Sequence, residues 1–202
     1  MSYGMESSET APEAPTARGR WRREQIIEAA TRLFHLQGFH ATSMDEIGTA
    51  AGITGPGLYR HFPSKDDILL AVFDRIWDLL RGAIEGIAGL EPDEALDVLI
   101  DTHTTLALDQ GAELMLLVRE LRYVPEYYQR AAERNDERYT DAWAEAIMKL
   151  HQELSLDEAR AAGRGLIGLI GSAARLIPIG VSHARHRDLL HQMCRASLQG
   201  VE

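Results

Sequence analysis

The chain has 202 residues and only one cysteine, Cys194. An intrachain disulfide is therefore excluded, and the composition favours a reducing compartment, so we expect a cytoplasmic protein. No apolar run approaches the ~18 residues that a membrane-spanning helix needs, and we expect no membrane partner. Residues 1–17 hold three Glu and neither Lys nor Arg. Because a signal peptide begins with basic residues, this composition predicts a disordered acidic tail instead.

The sequence also lacks the motifs of common enzymes. It has no phosphate-binding loop, no serine nucleophile elbow and no dinucleotide fingerprint. His183 and His186 are three positions apart, but no carboxylate or thiolate pattern completes a metal site around them. Cys194 follows His191 by three positions, and no suitably spaced Asn or Asp would orient such a pair. We therefore expect no enzymatic activity, no cofactor and no metal.

Charge is distributed unevenly along the chain, whose formal net charge is −10. Residues 18–65 carry seven Lys or Arg against four Asp or Glu, a balance of +3. Residues 66–202 carry 14 basic against 24 acidic side chains. A basic segment in an acidic chain is typical of a local contact with a polyanion, although a chance excess of this size is the alternative.

Runs of alternating apolar and polar residues are missing, and helical periodicity dominates instead. Residues 22–37 place apolar side chains on one face, and Gly38 ends this first predicted helix. Ser43, followed three positions later by Glu46, has the spacing of a capping box and predicts the start of a second helix. The second helix is short, because Gly52 follows soon after it.

The stretch GITGPGLYRHFPSK, residues 52–65, combines turn formers, aromatic rings and cations. Thr54 is the predicted cap of a third helix, and Pro56 is tolerated in its first turn. Two short helices joined by a turn that contains Gly are the signature of a helix-turn-helix unit. The glycines and Thr54 would then form the turn, and the rings and cations would lie on the second helix of the pair.

Beyond residue 65 the periodicity predicts roughly six further helices, separated at Gly, Pro and Ser positions. The predicted fold class is all-α, with a three-helix N-terminal helix-turn-helix domain followed by a roughly six-helix domain. The predicted divisions are a tail at 1–17, a DNA-binding domain at 18–65 and an effector-binding and dimerisation domain at 66–202. The further helices are expected at about 64–88, 92–109, 111–121, 125–151, 155–177 and 184–199.

The combined spacing of apolar, glycine and aromatic positions resembles the TetR (tetracycline-repressor) family of bacterial regulators. The resemblance is detailed over residues 20–72 and elsewhere is only that of an all-helical chain of similar length. The residues that carry it are Ile26, Ala29-Ala30, Leu33-Phe34, Gly38-Phe39, Thr42-Ser43, Ile47, Ala50-Ala51-Gly52-Ile53-Thr54, Gly57-Leu58-Tyr59-Arg60-His61-Phe62 and Ser64-Lys65.

The resemblance implies that the third helix enters the major groove of operator DNA while its neighbours contact phosphates. Gly55 and Gly57 have no side chains that reach bases, and Pro56 offers only apolar contact. We therefore expect sparse direct readout, supplemented by DNA shape. Arg22 and Arg23 are further candidates for phosphates or the minor groove. The predicted DNA-binding residues are Arg18, Arg20, Thr42, Ser43, Thr54, Gly55, Pro56, Gly57, Tyr59, Arg60, His61 and Lys65.

Structural roles are the alternatives for several of these residues. Tyr59 packs against Phe34 in that case, and His61 caps a helix or lies in the core. The N-terminal arginines then form only a solvated basic face. Leu58 and Phe62 continue the apolar face and are expected in the core.

The resemblance also implies that the acidic body binds an effector. Aromatic, Met and Arg side chains there favour a large, mainly apolar ligand with an anionic end, and core packing is the alternative for each. Residues 118–143 look similar to regulators of fatty-acid or acyl-CoA metabolism. The candidate ligand-binding residues are Trp77, His103, Met115, Arg119, Tyr123, Tyr127, Trp143, Ile147 and Arg175.

Residues 155–177 are rich in Ala and Gly, which permit close helix approach. With residues 184–199 they are expected to form half of an intersubunit four-helix bundle, as the resemblance implies. Packing within one subunit is the alternative. The predicted function is that of a homodimeric repressor released from a palindromic operator by a small effector. A regulator without an effector, constitutive or controlled by a protein partner, is the second hypothesis. An enzyme that retains the DNA-binding domain is a third.

Overall fold

The computed structural model describes residues 16–173 and 180–199, and every regular element in these ranges is helical. This confirms the predicted all-α class. Most of the predicted tail at 1–17 lies outside the described residues, as does Arg175. The elements are α1 (Ala17–Gln37), α2 (Met44–Ala50), α3 (Gly55–His61), α4 (Lys65–Gly86), α5 (Pro92–Asp109), α6 (Gly111–Glu120), a 3₁₀ turn (Leu121–Tyr123), α7 (Glu126–Leu150), α8 (Leu156–Ala173) and α9 (His183–Leu198).

Local capping sets where α1 and α2 begin. The Thr16 hydroxyl accepts a hydrogen bond from the Gly19 backbone N–H at 3.2 Å, so α1 begins at Ala17 and not at residue 22 as predicted. The capping box predicted for α2 is present. The Ser43 backbone N–H donates to the Glu46 carboxylate at 2.8 Å, and the Ser43 hydroxyl accepts from the Glu46 backbone N–H at 3.2 Å.

The turn between α2 and α3 depends on glycine. Gly52 has φ +62°, a left-handed conformation that side chains with a Cβ rarely adopt. Thr54 precedes α3 as predicted, but its hydroxyl accepts no capping hydrogen bond. Pro56 lies in the first turn of α3 and has no backbone N–H, which removes one of the donors that such a cap would satisfy.

One apolar core extends from the three N-terminal helices into the larger helical body. Phe34, Leu58 and Phe62 are fully buried where α1 and α3 meet the start of α4. Helix α4 continues the core through residues such as Phe73 and Ile76, and it packs against α1, α5, α6 and α7. It therefore joins the N-terminal helices to the body. Among the described residues no helix is both long enough and apolar enough to cross a bilayer.

Helices α7 and α8 approach each other closely at one glycine. A Cβ placed on Gly163 would lie 3.0 Å from the Cβ of Trp143, whose side chain is fully buried. Gly165, Gly168 and Gly171, on the same helix, have open space around them. Close packing within the subunit therefore explains Gly163 but not the other three glycines.

Candidate functional site

Helix α3 presents one face to solvent. Thr54, Pro56 and Arg60 are exposed, and Tyr59 is 51% exposed, which does not fit its alternative role of packing against Phe34. Gly57 is buried, and a Cβ there would lie 2.9 Å from Ile53 Cγ1, so this glycine lets the turn pack under α3. The exposed side chains are those that can reach DNA.

A groove of about 540 Å³ separates the start of α1 from α3. Two helices contribute cations to it, because Arg18 and Arg22 come from α1 while Arg60 comes from α3, where His61 also lines the groove. Such a concave cationic surface suits a phosphate backbone. The described residues that line the groove are Thr16, Arg18, Gly19, Arg22, Ile53, Thr54, Gly57, Arg60 and His61.

Arg23 holds the two sides of this region together. Its guanidinium donates a hydrogen bond to the His61 backbone oxygen at 3.1 Å and stacks 3.9 Å from the Phe62 ring centroid. These contacts fix the carboxyl end of α3 against α1. The sequence suggested Arg23 as a contact for DNA, whereas the structure shows a side chain that orients α3.

Thr42 does not fit the direct DNA contact predicted for it. The residue is buried, and its hydroxyl donates to the Gly38 backbone oxygen at 2.9 Å and accepts from Gln37 Nε2 at 3.2 Å. Its neighbour Ser43 is exposed, and the Ser43 hydroxyl donates to the Glu46 carboxylate at 2.7 Å. Both hydroxyls therefore organise the approach to α2.

Lys65 binds backbone carbonyl groups of the loop between α1 and α2. Its Nζ donates to the oxygens of Phe39 at 2.7 Å and Thr42 at 2.8 Å, and lies 3.4 Å from the oxygen of His40. The ammonium also lies 4.5 Å from the Phe39 ring centroid. Because an ammonium has three donors, the predicted phosphate contact of Lys65 would compete with these bonds.

Replacing Lys65 with Met is expected to lower the free energy of unfolding by about 2 kcal/mol, because it leaves carbonyl oxygens without their charged donor. Urea unfolding measures the change. The only other lysine, Lys149, forms an exposed pair with Glu145, so Lys149→Met is the matched control and should change stability by about 0.5 kcal/mol or less. Equal effects of the two substitutions would contradict the role given to Lys65.

A second concave site lies inside the helical body. A cavity of about 460 Å³ opens between α4, α5, α6, α7 and α8. A volume of this size and a largely apolar wall are typical of small-molecule sites. The described residues that line it are Ile76, Trp77, Leu80, His103, Leu106, Leu114, Met115, Leu117, Val118, Leu121, Ala132, Glu133, Asp136, Tyr139, Ile167, Gly168 and Gly171.

The predicted ligand-binding residues divide into three groups. Trp77, His103 and Met115 line the cavity, as a ligand contact requires. Trp143 and Ile147 are fully buried in the core and do not line it. Arg119, Tyr123 and Tyr127 do not line it either, because they point to solvent on α6, the 3₁₀ turn and α7. The described wall therefore lacks Arg119, while Arg175 lies outside the described residues.

Two buried polar side chains meet at the cavity wall. The Tyr139 hydroxyl lies 3.5 Å from His103 Nδ1, and both residues are at most 5% exposed. Burial lowers the pKa of His103 to about 4, although a hydrogen bond to the Ile167 backbone acts in the opposite direction. Burial also raises the pKa of Tyr139. Both side chains are therefore neutral near pH 7.

The buried imidazole makes stability depend on pH. As the pH falls from 6.5 towards about 4, the unfolded chain binds a proton at His103 that the folded protein does not. The free energy of unfolding is expected to fall by up to about 3 kcal/mol over this window. Urea unfolding at several pH values measures it. A His103→Asn variant should lose this component of the pH dependence, and an unchanged slope would contradict a neutral His103.

The sequence analysis missed the acidic residues of the cavity. Glu133 and Asp136 are three positions apart on α7, so they lie on one face of the helix, and both are exposed where the cavity opens. The guanidinium of Arg164 lies 4.0 Å from the Asp136 carboxylate. The only signal in the sequence was a charged stretch in which acidic and basic residues alternate.

The cavity is linked to the N-terminal helices through α6 as well as α4. Helix α6 lines the cavity with Met115 and Val118 and also packs against α1. At its end, the buried Glu120 carboxylate lies 3.9 Å from His40 Nε2, in the loop after α1. A change in the position of α6 would therefore alter its contacts with the N-terminal helices.

The arrangement of α2 and α3 defines a helix-turn-helix protein, since two short helices flank the Gly52 turn and the second has an exposed face beside a cationic groove. Residues 26–72 match the family described as "Bacterial regulatory proteins, tetR family". Over these residues the chain matches the TetR family of bacterial regulatory proteins, which confirms the resemblance seen in the sequence.

Curated relatives resemble parts of the chain. The HTH-type transcriptional activator FasR of Mycolicibacterium smegmatis is 44% identical over 63 residues, which cover 31% of this chain and 29% of the relative. The HTH-type transcriptional repressor KstR2 of Rhodococcus jostii is 31% identical over 124 residues, which cover 55% of this chain and 60% of the relative. The chain thus spans less than two thirds of the length of either relative.

A solved structure matches most of the chain. That of AibR in complex with isovaleryl coenzyme A and operator DNA has a TM-score of 0.71 at 21% identity, covering 85% of this chain and 97% of that one. At this level of identity the similarity shows the shared helical fold, and function is a separate question.

Proposed function

We propose that the protein is a DNA-binding transcriptional repressor, released from a palindromic operator by a small, mainly apolar effector. The groove between α1 and α3 is the observation that supports DNA binding, because Arg18, Arg22 and Arg60 converge there beside the exposed face of α3. The DNA backbone is a polyanion that a cationic groove of this kind attracts. This function places the protein in the cytoplasm, together with its operator.

The exposed residues of α3 fall into two proposed roles. Thr54 and Pro56, at the amino end of the helix, face the base edges, with Pro56 limited to apolar contacts such as a thymine methyl. Tyr59, Arg60 and His61 contact phosphates and fix the register of α3 in the major groove. With so few base-reading side chains, DNA shape supplies part of the specificity.

Homodimerisation through α8 and α9 is proposed from the exposed face of α8. Ala161, Gly165, Gly168 and Ser172 are exposed at spacings of three to four residues and therefore lie on one side of the helix. This flat face of small residues permits close approach of the same helix from a second subunit. Two-fold symmetry then places two α3 helices about one turn of DNA apart.

Effector binding is proposed to act through α4 and α6, which both line the cavity and both pack against α1. Filling the cavity moves these helices and changes the separation of the two α3 helices. The effector releases DNA only if it binds the released form more tightly than the DNA-bound form. The AibR complex, which contains both isovaleryl coenzyme A and operator DNA, supports the proposal in that a protein of this fold binds a small molecule as well as DNA.

The relatives do not decide between activation and repression, which has to be tested. One is named as an activator and the other as a repressor. Repression is proposed because a dimer that covers an operator blocks polymerase without any further contact. An activator would need a surface that recruits polymerase.

Operator binding with and without ligands tests the proposal. Fluorescence anisotropy compares a duplex from the DNA flanking the protein's own gene with a scrambled duplex, in the presence of alkyl amines, alcohols, fatty acids and acyl-CoAs. Specific binding that one ligand class weakens at least about tenfold is the expected result. Specific binding that no ligand changes would favour constitutive or partner-controlled regulation. Equal binding to both duplexes would contradict an operator-specific protein.

A further inference from the structure

The polar side of the ligand cavity is built from hydrogen-bond acceptors. A neutral imidazole has one N–H, and we assign that of His103 to the hydrogen bond with the Ile167 backbone. Nδ1 is then an acceptor, and the Tyr139 hydroxyl, 3.5 Å away, donates its proton to it. The remaining hydrogen-bonding capacity of Tyr139 is that of an acceptor oxygen.

The carboxylates at the cavity opening add negative charge to these acceptors. Glu133 and Asp136 lie one helical turn apart on α7, six and three positions before Tyr139 on the same helix. Arg164, at 4.0 Å, offsets part of the charge of Asp136. Glu133 forms no ion pair within the described ranges, so its carboxylate is available to a ligand there.

We propose that the effector has a cationic, hydrogen-bond-donating head group, an amine in the simplest case, that binds at Glu133 and Asp136 while its apolar part fills the cavity. The ammonium donates to the carboxylates at the opening, and the alkyl part lies against Trp77, Leu117 and Ile167. This inference rests on the proposed function only in naming the ligand an effector. It differs from the anionic head group expected from the sequence: Arg119 points away from the cavity, and Arg175 lies outside the described residues.

Matched ligands test the head group directly on the purified protein without DNA. Isothermal titration calorimetry at neutral pH and 0.15 M salt compares decylamine, decanol and decanoate, which share one chain and differ in charge. We expect decylamine to bind about tenfold more tightly than decanoate, with decanol between them. The exposed carboxylates attract the ammonium group and repel the carboxylate group, each by a modest amount. One ligand per subunit is the expected stoichiometry.

Two charge-neutralising variants test whether the preference for decylamine arises at the cavity opening. Glu133→Gln should reduce the preference for decylamine over decanoate about threefold. Glu137→Gln removes the same charge from an exposed position of α7 outside the cavity and should leave the preference unchanged, which separates local recognition from attraction by the net charge of −10. A Glu133→Asp variant should retain the preference.

Three results would overturn the inference. They are equal or tighter binding of decanoate, a preference that survives Glu133→Gln, and no binding of any of the three ligands. The proposed function fails separately. If the protein prefers decylamine but binds no specific DNA sequence, the amine site stands and the proposed repressor function is contradicted. If the protein binds an operator specifically and only fatty acids or acyl-CoAs weaken that binding, the repressor function stands and an amine is excluded as the effector.

Discussion

Replacing Gly163 with Leu is expected to lower the free energy of unfolding by about 3 kcal/mol. A Cβ at this position would lie 3.0 Å from the Trp143 Cβ. That atom is bonded to the backbone, so rotation of the side chain cannot move it away. The larger side chain must therefore push α7 and α8 apart around a fully buried tryptophan. Urea unfolding at fixed protein concentration measures the loss.

Gly82 provides the matched control for this substitution. It lies within α4, is exposed, and has open space around the position of a Cβ. Gly82→Leu should leave stability unchanged or raise it by up to about 1 kcal/mol, since Leu is a better helix former than Gly. A Gly163→Leu protein as stable as the Gly82→Leu protein would contradict the close approach of α7 and α8.

Replacing Arg60 with Ala is expected to reduce operator affinity about 100-fold. The proposed dimer carries two copies of this residue, so the substitution removes two cations from the DNA interface. The slope of log affinity against log salt concentration should therefore become shallower by about 2. Anisotropy titrations at several salt concentrations give both quantities in one experiment.

Arg81→Ala is the control for the loss of positive charge. Arg81 is exposed near the end of α4 and pairs with Asp78, far along the helix from the groove beside α3. Its removal changes the net charge equally, so its affinity and salt slope should match those of the unaltered protein. A similar loss in both variants would show that DNA binding depends on overall charge and not on the groove.

The sequence predicted the helices well because their ends depend on local interactions. The Ser43 and Glu46 capping box and the Pro92 start of α5 involve residues within one helical turn, and both were found where predicted. The start of α1 was missed because Thr16 precedes a polar segment with no apolar periodicity to reveal the helix.

The ligand site was harder to predict because it depends on which face of each helix turns inward. Tyr127 and Tyr128 are adjacent and chemically identical, yet Tyr127 is exposed while the Tyr128 hydroxyl bonds to Asp74 at 2.8 Å. Only the packing of α7 on α4 distinguishes them. Glu133 was missed for the related reason that an acidic residue on an amphipathic helix is usually part of a solvated face.

The DNA-binding residues show a third limit of sequence reasoning. Thr42 and Lys65 occupy positions that the family resemblance associates with DNA, but their polar atoms bond to backbone groups of the loop between α1 and α2. These bonds join residues up to 26 positions apart. Short-range patterns do not contain them.

A DNase I footprint on the DNA flanking the protein's own gene tests the central claim most directly. The account predicts two symmetric protected half-sites about one helical turn apart, which persist with excess scrambled competitor DNA and disappear with Arg60→Ala. Protection without symmetric half-sites, or protection that scrambled DNA removes equally well, would contradict a dimeric protein that recognises a palindromic operator through α3.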